Sequence, residues 1–133
     1  MQEKNFFVNN KYSIQREQVI NALKATKAHP TAEELQFMLK QAKFNVSLAT
    51  VYRTLKELVN QKRVLTLETI DKKLHYDADL SDHSHFICKD CGKIIDVFEP
   101  VYTPKTLVEL GVETEEKKCI YYGKCAECKT LAN

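Results

Sequence analysis

The stretch Ser47-Leu48-Ala49-Thr50-Val51-Tyr52-Arg53-Thr54-Leu55-Lys56-Glu57-Leu58-Val59-Asn60 separates two kinds of residue by helical period. Leu48, Val51, Leu55, Leu58 and Val59 recur at the spacing that gathers side chains on one face of a helix. Thr50, Arg53, Thr54 and Lys56 fall on the other face, with Tyr52 alongside, and Ser47 stands where an N-cap oxygen is wanted. Downstream, Val64–Ile70 is rich in β-formers, Asp71-Lys72-Lys73 makes a polar turn, and Leu74–Asp77 reads as the returning strand of a hairpin. Upstream, Thr31 and Glu34 form a capping box before Leu35, Met38 and Leu39. Before that, Ser13 caps a first helix with Glu17 in its first turn and Ile14, Val19 and Leu23 on its buried side. His29-Pro30 breaks that helix, because the residue before a proline is pushed out of the helical region.

Three helices followed by a hairpin make a winged helix, expected over residues 1–76. A recognition helix carries short polar and basic groups toward base edges and phosphates, and Ser47, Thr50, Tyr52, Arg53 and Lys56 are suited to that task. Pattern alone leaves a plain three-helix bundle with a solvated charged face as the competing reading.

Charge supports a division of the chain. Residues 1–75 hold 13 Lys/Arg against 7 Asp/Glu, whereas residues 76–133 hold 7 against 11. A basic half joined to an acidic half suits a nucleic-acid module joined to something else, although scattered surface charge gives the same totals. Hydrophobic content of 44% and charged content of 29% are ordinary for a globular chain of 133 residues. No stretch is apolar enough to span a bilayer, and Phe6-Phe7-Val8 is too short for a signal peptide, so the expected compartment is the cytoplasm. Cysteines there point to metal or redox chemistry more than to disulfides.

Residues 77–82 are short, polar and acidic and read as a hinge, with a small α/β domain at 83–133. In that domain His85–Cys88 and Lys93–Phe98 look like strands, Pro104 fits the first position of a short helix that Gly111 ends, and Lys118–Tyr122 looks like a third strand. Two Cys-x-x-Cys pairs, Cys88/Cys91 and Cys125/Cys128, stand 33 residues apart. Each pair sets two thiolates in one tight turn, and two such knuckles complete a closed tetrahedral site of the kind that holds structural zinc. A redox dithiol, as in a Cys-x-x-Cys oxidoreductase, is the rival. Cys119 is left over on the third strand as a small core residue.

His83 and His85 alternate just before the first knuckle, flanked by Asp77, Asp79, Asp82 and Asp96. Alternation on a strand turns both imidazoles to one side, which favours a shared N/O metal site; exposed strand histidines fit the same spacing. His29 by itself reads as a turn residue, and His75 as structural or solvent-facing.

Four segments together resemble the ferric uptake regulator (Fur) superfamily: His29–Leu35, Ser47–Leu55, His83–Asp96 and Tyr122–Cys128. The resemblance runs from about Ser13 to Cys128 and implies an α+β protein: an N-terminal winged-helix DNA-binding domain followed by a small α/β dimerisation domain with a structural zinc held by four cysteines. It implies a homodimer that binds an inverted-repeat DNA operator when metal is present, acting as a repressor and not as an enzyme. Carried over by position, the regulatory metal site falls on His29, Asp77, His83, His85 and Asp96, with Fe2+ or Mn2+ as the ion. The Asp at position 96 resembles the peroxide-sensing (PerR) branch, in which Fe(II) and hydrogen peroxide oxidise a ligand histidine, here His29 or His83. An iron-, manganese- or zinc-uptake regulator of the same fold is the alternative. Ser13-Ile14-Gln15-Arg16 departs from the family's usual Thr-Pro-Gln-Arg but keeps Arg16, expected to contact phosphate. The segment before Ser13 is short for an extra leading helix, and the helix between Pro100 and Gly111 is about one turn shorter than usual.

Overall fold

No glycine or proline interrupts residues 2–25, and the whole stretch is one helix, α1 (Gln2–Ala25). Ser13 therefore lies inside the helix, not at its start. A capping residue favours a helix end but does not impose one, and serine costs only a few tenths of a kcal/mol inside a helix. The computed structural model describes residues 2–131, with side chains from Lys11 to Leu131. It divides into two compact units, Met1–Leu80 and Ser81–Asn133.

In the first unit α1 is followed by α2 (Ala32–Gln41) and α3 (Leu48–Asn60). The capping box closes as expected: Glu34 N donates to Thr31 Oγ1 at 3.2 Å, and Thr31 N donates to Glu34 Oε1 at 3.1 Å. Ser47 caps α3 through a 3.1 Å bond from Thr50 N. Val19, Ile20 and Leu23 of α1 meet Leu35 and Leu39 of α2 and Val51, Leu55 and Leu58 of α3 in one apolar cluster. Each such side chain contributes roughly 1.5–3 kcal/mol by leaving water. Two expected positions change places: Ile14 is 51% exposed and Ile20 takes its role, while Thr54 is fully buried, not on the outer face of α3.

The wing is a hairpin of β1 (Leu65–Glu68) and β2 (Leu74–Asp77), antiparallel with Leu65 opposite Asp77 and Leu67 opposite His75. β2 is tied back to the helices by Tyr76 N, which donates to the Pro30 carbonyl at 3.0 Å.

The second unit holds a three-stranded sheet of β3 (Ser84–Cys88), β4 (Ile94–Val97) and β5 (Ile120–Gly123), with α4 (Lys105–Glu109) and α5 (Ala126–Leu131). The strand order is β4-β3-β5, with β4 antiparallel and β5 parallel to the central strand. Pro104, with ψ 141, stands outside α4 as its N-cap and not at its first turn. Gly111, at φ 67, follows the helix as a left-handed stop. Cys119 sits one residue before β5, and its carbonyl accepts from His85 N at 3.2 Å. Helix α5 has no counterpart in the sequence reading; at six residues it is too short for periodicity to reveal. Among the described residues no helix is long and apolar enough to cross a membrane.

Candidate metal centres and nucleic-acid face

The ends of two neighbouring strands build the first centre. Cys88 closes β3 and Cys91 follows in the turn that Gly92, at φ 77, makes possible. Cys125 comes just after β5 and Cys128 from the first turn of α5. The four sulfurs lie within 4.8 Å of one another. Cys91 Sγ and Cys125 Sγ are 3.8 Å apart, and a tetrahedron with Zn–S bonds of about 2.3 Å has edges of about that length. The donor set therefore fits zinc in size, number and softness, and leaves no position for a substrate. Both cysteine pairs enter one cluster, which favours a shared ion over two separate redox dithiols.

Backbone amides prepare the site. Cys91 N and Cys125 N point at Cys88 Sγ at 3.5 and 3.4 Å, and Cys128 N at Cys125 Sγ at 3.5 Å. The two amides on Cys88 bring its thiol down to about 6. The Cys125 sulfur, with burial, pushes Cys128 up to about 12. Four thiols this close do not all ionise without a cation, so metal uptake displaces protons.

In the second unit, His85 on β3 stands opposite Asp96 on β4, and His83 immediately precedes β3. Both imidazoles aim Nε2 at the same oxygen, Asp96 Oδ1, from 3.5 Å for His83 and 3.3 Å for His85. His83 Nδ1 is 2.7 Å from the Ser81 carbonyl. A carbonyl only accepts, so Nδ1 carries the hydrogen and neutral His83 presents a lone pair at Nε2. A lone pair facing a carboxylate oxygen calls for a proton or a cation between them. Metal–N and metal–O bonds of about 2.0–2.2 Å subtend donor separations of roughly 3.0–3.5 Å, so the donor set fits a divalent ion.

In the first unit, His29 and Asp77 are brought together, with Nε2 to Oδ2 at 3.3 Å and both residues buried. His29 is left-handed, φ 52, at the junction the following proline creates. His75, which the sequence reading placed as structural or solvent-facing, reaches the His29 carbonyl with Nδ1 at 2.7 Å. The signal that could have found it is its two-residue spacing from Asp77, which puts both on one side of β2.

On α3, Tyr52, Arg53 and Lys56 are exposed and Thr50 is half-buried. Tyr52 OH donates to a Glu33 carboxylate oxygen, which raises the Tyr52 pKa and lowers that of Glu33. The Arg53 guanidinium lies 4.6 Å over the ring of Tyr12, whose hydroxyl donates to Glu57 Oε1 at 2.8 Å. Tyr12 was not singled out from the sequence, since its role depends on how α1 packs on α3. Arg16 is placed elsewhere: it is half-buried, with Nη2 3.5 Å from Gln61 Oε1 at the C-cap of α3. That is the opposite end of the helix from Ser47.

The ferric uptake regulator family model matches residues 8–122. A ferric uptake regulation protein of Campylobacter jejuni is 35% identical over 124 residues, covering 89% of this chain and 79% of the relative. A peroxide operon regulator of Bacillus subtilis is 32% identical over 122 residues, covering 90% and 84%. Among solved structures, the Campylobacter jejuni peroxide stress regulator superposes with a TM-score of 0.77 at 29% identity, covering 96% of each chain.

Proposed function

The chain belongs to the ferric uptake regulator family, and from that premise we propose that it is a homodimeric, metal-dependent transcriptional repressor that binds an inverted-repeat DNA operator. Cys88, Cys91, Cys125 and Cys128 hold a structural zinc in this reading. His29 and Asp77 from the first unit and His83, His85 and Asp96 from the second share one regulatory Fe2+ or Mn2+. The observation that carries the proposal is the convergence of His83 Nε2 and His85 Nε2 on one oxygen of Asp96. Two imidazoles and a carboxylate are an incomplete set for an ion that takes five or six donors. The buried His29–Asp77 pair supplies the missing kind. An ion that binds more tightly when both sets are engaged shifts the protein toward the arrangement in which two recognition helices match successive turns of DNA.

Within the family the proposed signal is peroxide. Asp96 supplies the carboxylate of the second unit, and both a peroxide operon regulator and a solved peroxide stress regulator are among the relatives. Bound Fe(II) supplies redox chemistry toward hydrogen peroxide, and His29 or His83 is the ligand oxidised. Loss of an imidazole donor then releases the DNA. Similarity to the ferric uptake regulation protein of Campylobacter jejuni favours an iron-uptake regulator as the second reading. One experiment separates them. Protein loaded with Fe(II) or Mn(II) is bound to a duplex selected from a random-sequence library, then treated with hydrogen peroxide. The iron form is expected to lose DNA while the manganese form keeps it, with one oxygen gained at His29 or His83 by peptide mass spectrometry. An iron form that retains DNA, with both histidines unmodified, leaves the uptake reading in possession.

Ser47, Thr50, Tyr52, Arg53 and Lys56 are the proposed DNA contacts; Arg16, set against Gln61, is a contact only to a phosphate beyond that end of α3. Arg53→Ala is expected to weaken binding to the selected duplex by about 1–3 kcal/mol, the range of one good base contact. Zinc content should not change. Unaltered DNA affinity with altered zinc would sink the recognition-helix assignment.

A further inference from the structure

Three consecutive residues of β2 take hold of the two residues that precede Thr31. Tyr76 N donates to the Pro30 carbonyl at 3.0 Å, Asp77 Oδ2 lies 3.3 Å from His29 Nε2, and His75 Nδ1 lies 2.7 Å from the His29 carbonyl oxygen. The acceptor is a carbonyl, so His75 Nδ1–H is the donor. His29 needs such a grip. Its φ of 52 is left-handed, a conformation that a residue with a Cβ disfavours, and it is only 5% exposed, so its carbonyl is costly to leave without a partner. Relaxing that backbone would swing the imidazole off Asp77. The other side of the ring faces the wing turn, where Nε2 lies 3.5 Å from Thr69 Oγ1, whose hydrogen goes to the Asp71 carboxylate.

We propose that His75 is a positioning residue for the regulatory ion: by donating to the His29 carbonyl it holds His29 in the left-handed conformation that keeps its imidazole on Asp77. It touches no ion itself. The proposal rests on the assignment of His29 and Asp77 to that ion, so its test has one arm that uses no regulatory ion.

Asparagine and leucine have nearly the same shape, and the asparagine amide nitrogen can stand where His75 Nδ1 stands. The full-length, zinc-loaded protein is compared as wild type, His75→Leu, His75→Asn and His29→Ala. In the arm without Mn(II), His75→Leu should displace the His29 ring resonances in NMR spectra and His75→Asn should restore them. In the second arm, His75→Leu should weaken Mn(II) binding about tenfold, the lower end of what outer partners of metal ligands contribute, with His75→Asn recovering most of it. Zinc content and thermal unfolding serve as controls. If His75→Leu does not fold, His75→Asn against His75→Asp gives the same contrast of donor with acceptor. His29 resonances unmoved by the loss of the donor overturn the positioning role. Moved resonances with unchanged Mn(II) affinity overturn its link to the ion. Wild-type Mn(II) binding by His29→Ala strikes the ion assignment instead, and the arm without Mn(II) then decides the positioning alone.

Discussion

Replacing Cys91 with serine is expected to unfold the second unit and leave the first standing. The reason is where the buried apolar surface lies. Among the described residues, the hydrophobic cluster of twelve buried side chains belongs wholly to the first unit. Among the described residues of the second unit, the buried apolar ones are Ile87, Cys88 and Cys125. Two of those three are members of the sulfur cluster, so the core of this unit and the proposed zinc site are nearly the same object. Large apolar side chains are present there, but Ile95, Phe98, Tyr102, Val108, Leu110, Tyr121 and Tyr122 are exposed in the single chain. A structural zinc contributes about 10–16 kcal/mol in small zinc-finger peptides, and a whole domain is stable by only about 5–15 kcal/mol. Serine keeps the size of the side chain but offers no thiolate, so the lesion is chemical and not steric.

Three measurements check this. Zinc per chain should fall from one to near zero in Cys91→Ser, amide signals of residues 81–133 should collapse to unfolded positions, and cooperative helical melting of residues 1–80 should persist. A strong chelator on the wild-type protein should reproduce the result. A Cys91→Ser protein that retains one zinc and an intact sheet would show that the four sulfurs are not the scaffold.

Much of this architecture follows from local chemistry that a sequence displays. The Thr31–Glu34 capping box, the Ser47 cap, the apolar face of α3 and the turn between β1 and β2 depend on residues a few positions apart, and each forms as expected. The two knuckles are legible for the same reason. What escapes is set by packing. Thr54 is drawn into the core because α3 is covered over more of its circumference than its apolar residues alone indicate. Ser13 has the chemistry of a cap but meets a helix already under way. Arg53 over Tyr12 and Tyr52 on Glu33 join residues 41 and 19 positions apart, and no local pattern encodes either contact. The candidate ligands divide along the same line. His83 and His85 announce themselves by alternation and converge on Asp96. A histidine before a proline looks like a turn, and His29 is one, with φ 52. Only the family resemblance suggested its imidazole had further work, and the structure sets it on Asp77.

Asp77→Ala is expected to abolish most of the metal dependence of DNA binding while leaving both units folded. Asp77 is the last residue of β2, 8% exposed, with Oδ2 on His29 Nε2 and Oδ1 accepting from Asp79 N at 2.9 Å. It is the carboxylate that the first unit brings to the proposed ion. A protein moves from 1:99 to 99:1 between two states only if a ligand binds one of them about 10⁴-fold more tightly. Such a difference requires donors from both units, so deleting an anionic one removes much of the coupling and not only some affinity. The Mn(II) concentration for half-maximal binding to the selected duplex should rise at least about tenfold, since even outer partners of metal ligands contribute that much. Zinc content and thermal unfolding should match wild type. Asp79→Ala is the matched comparison: Asp79 is exposed, and alanine retains the backbone N–H that engages Asp77, so its metal response should be impaired far less than that of Asp77→Ala. If Asp77→Ala binds DNA as wild type does at every Mn(II) concentration, no ion couples the two units through this residue. If Asp77→Ala and Asp79→Ala are impaired alike, what mattered was the acidic charge of the segment and not a ligand within it.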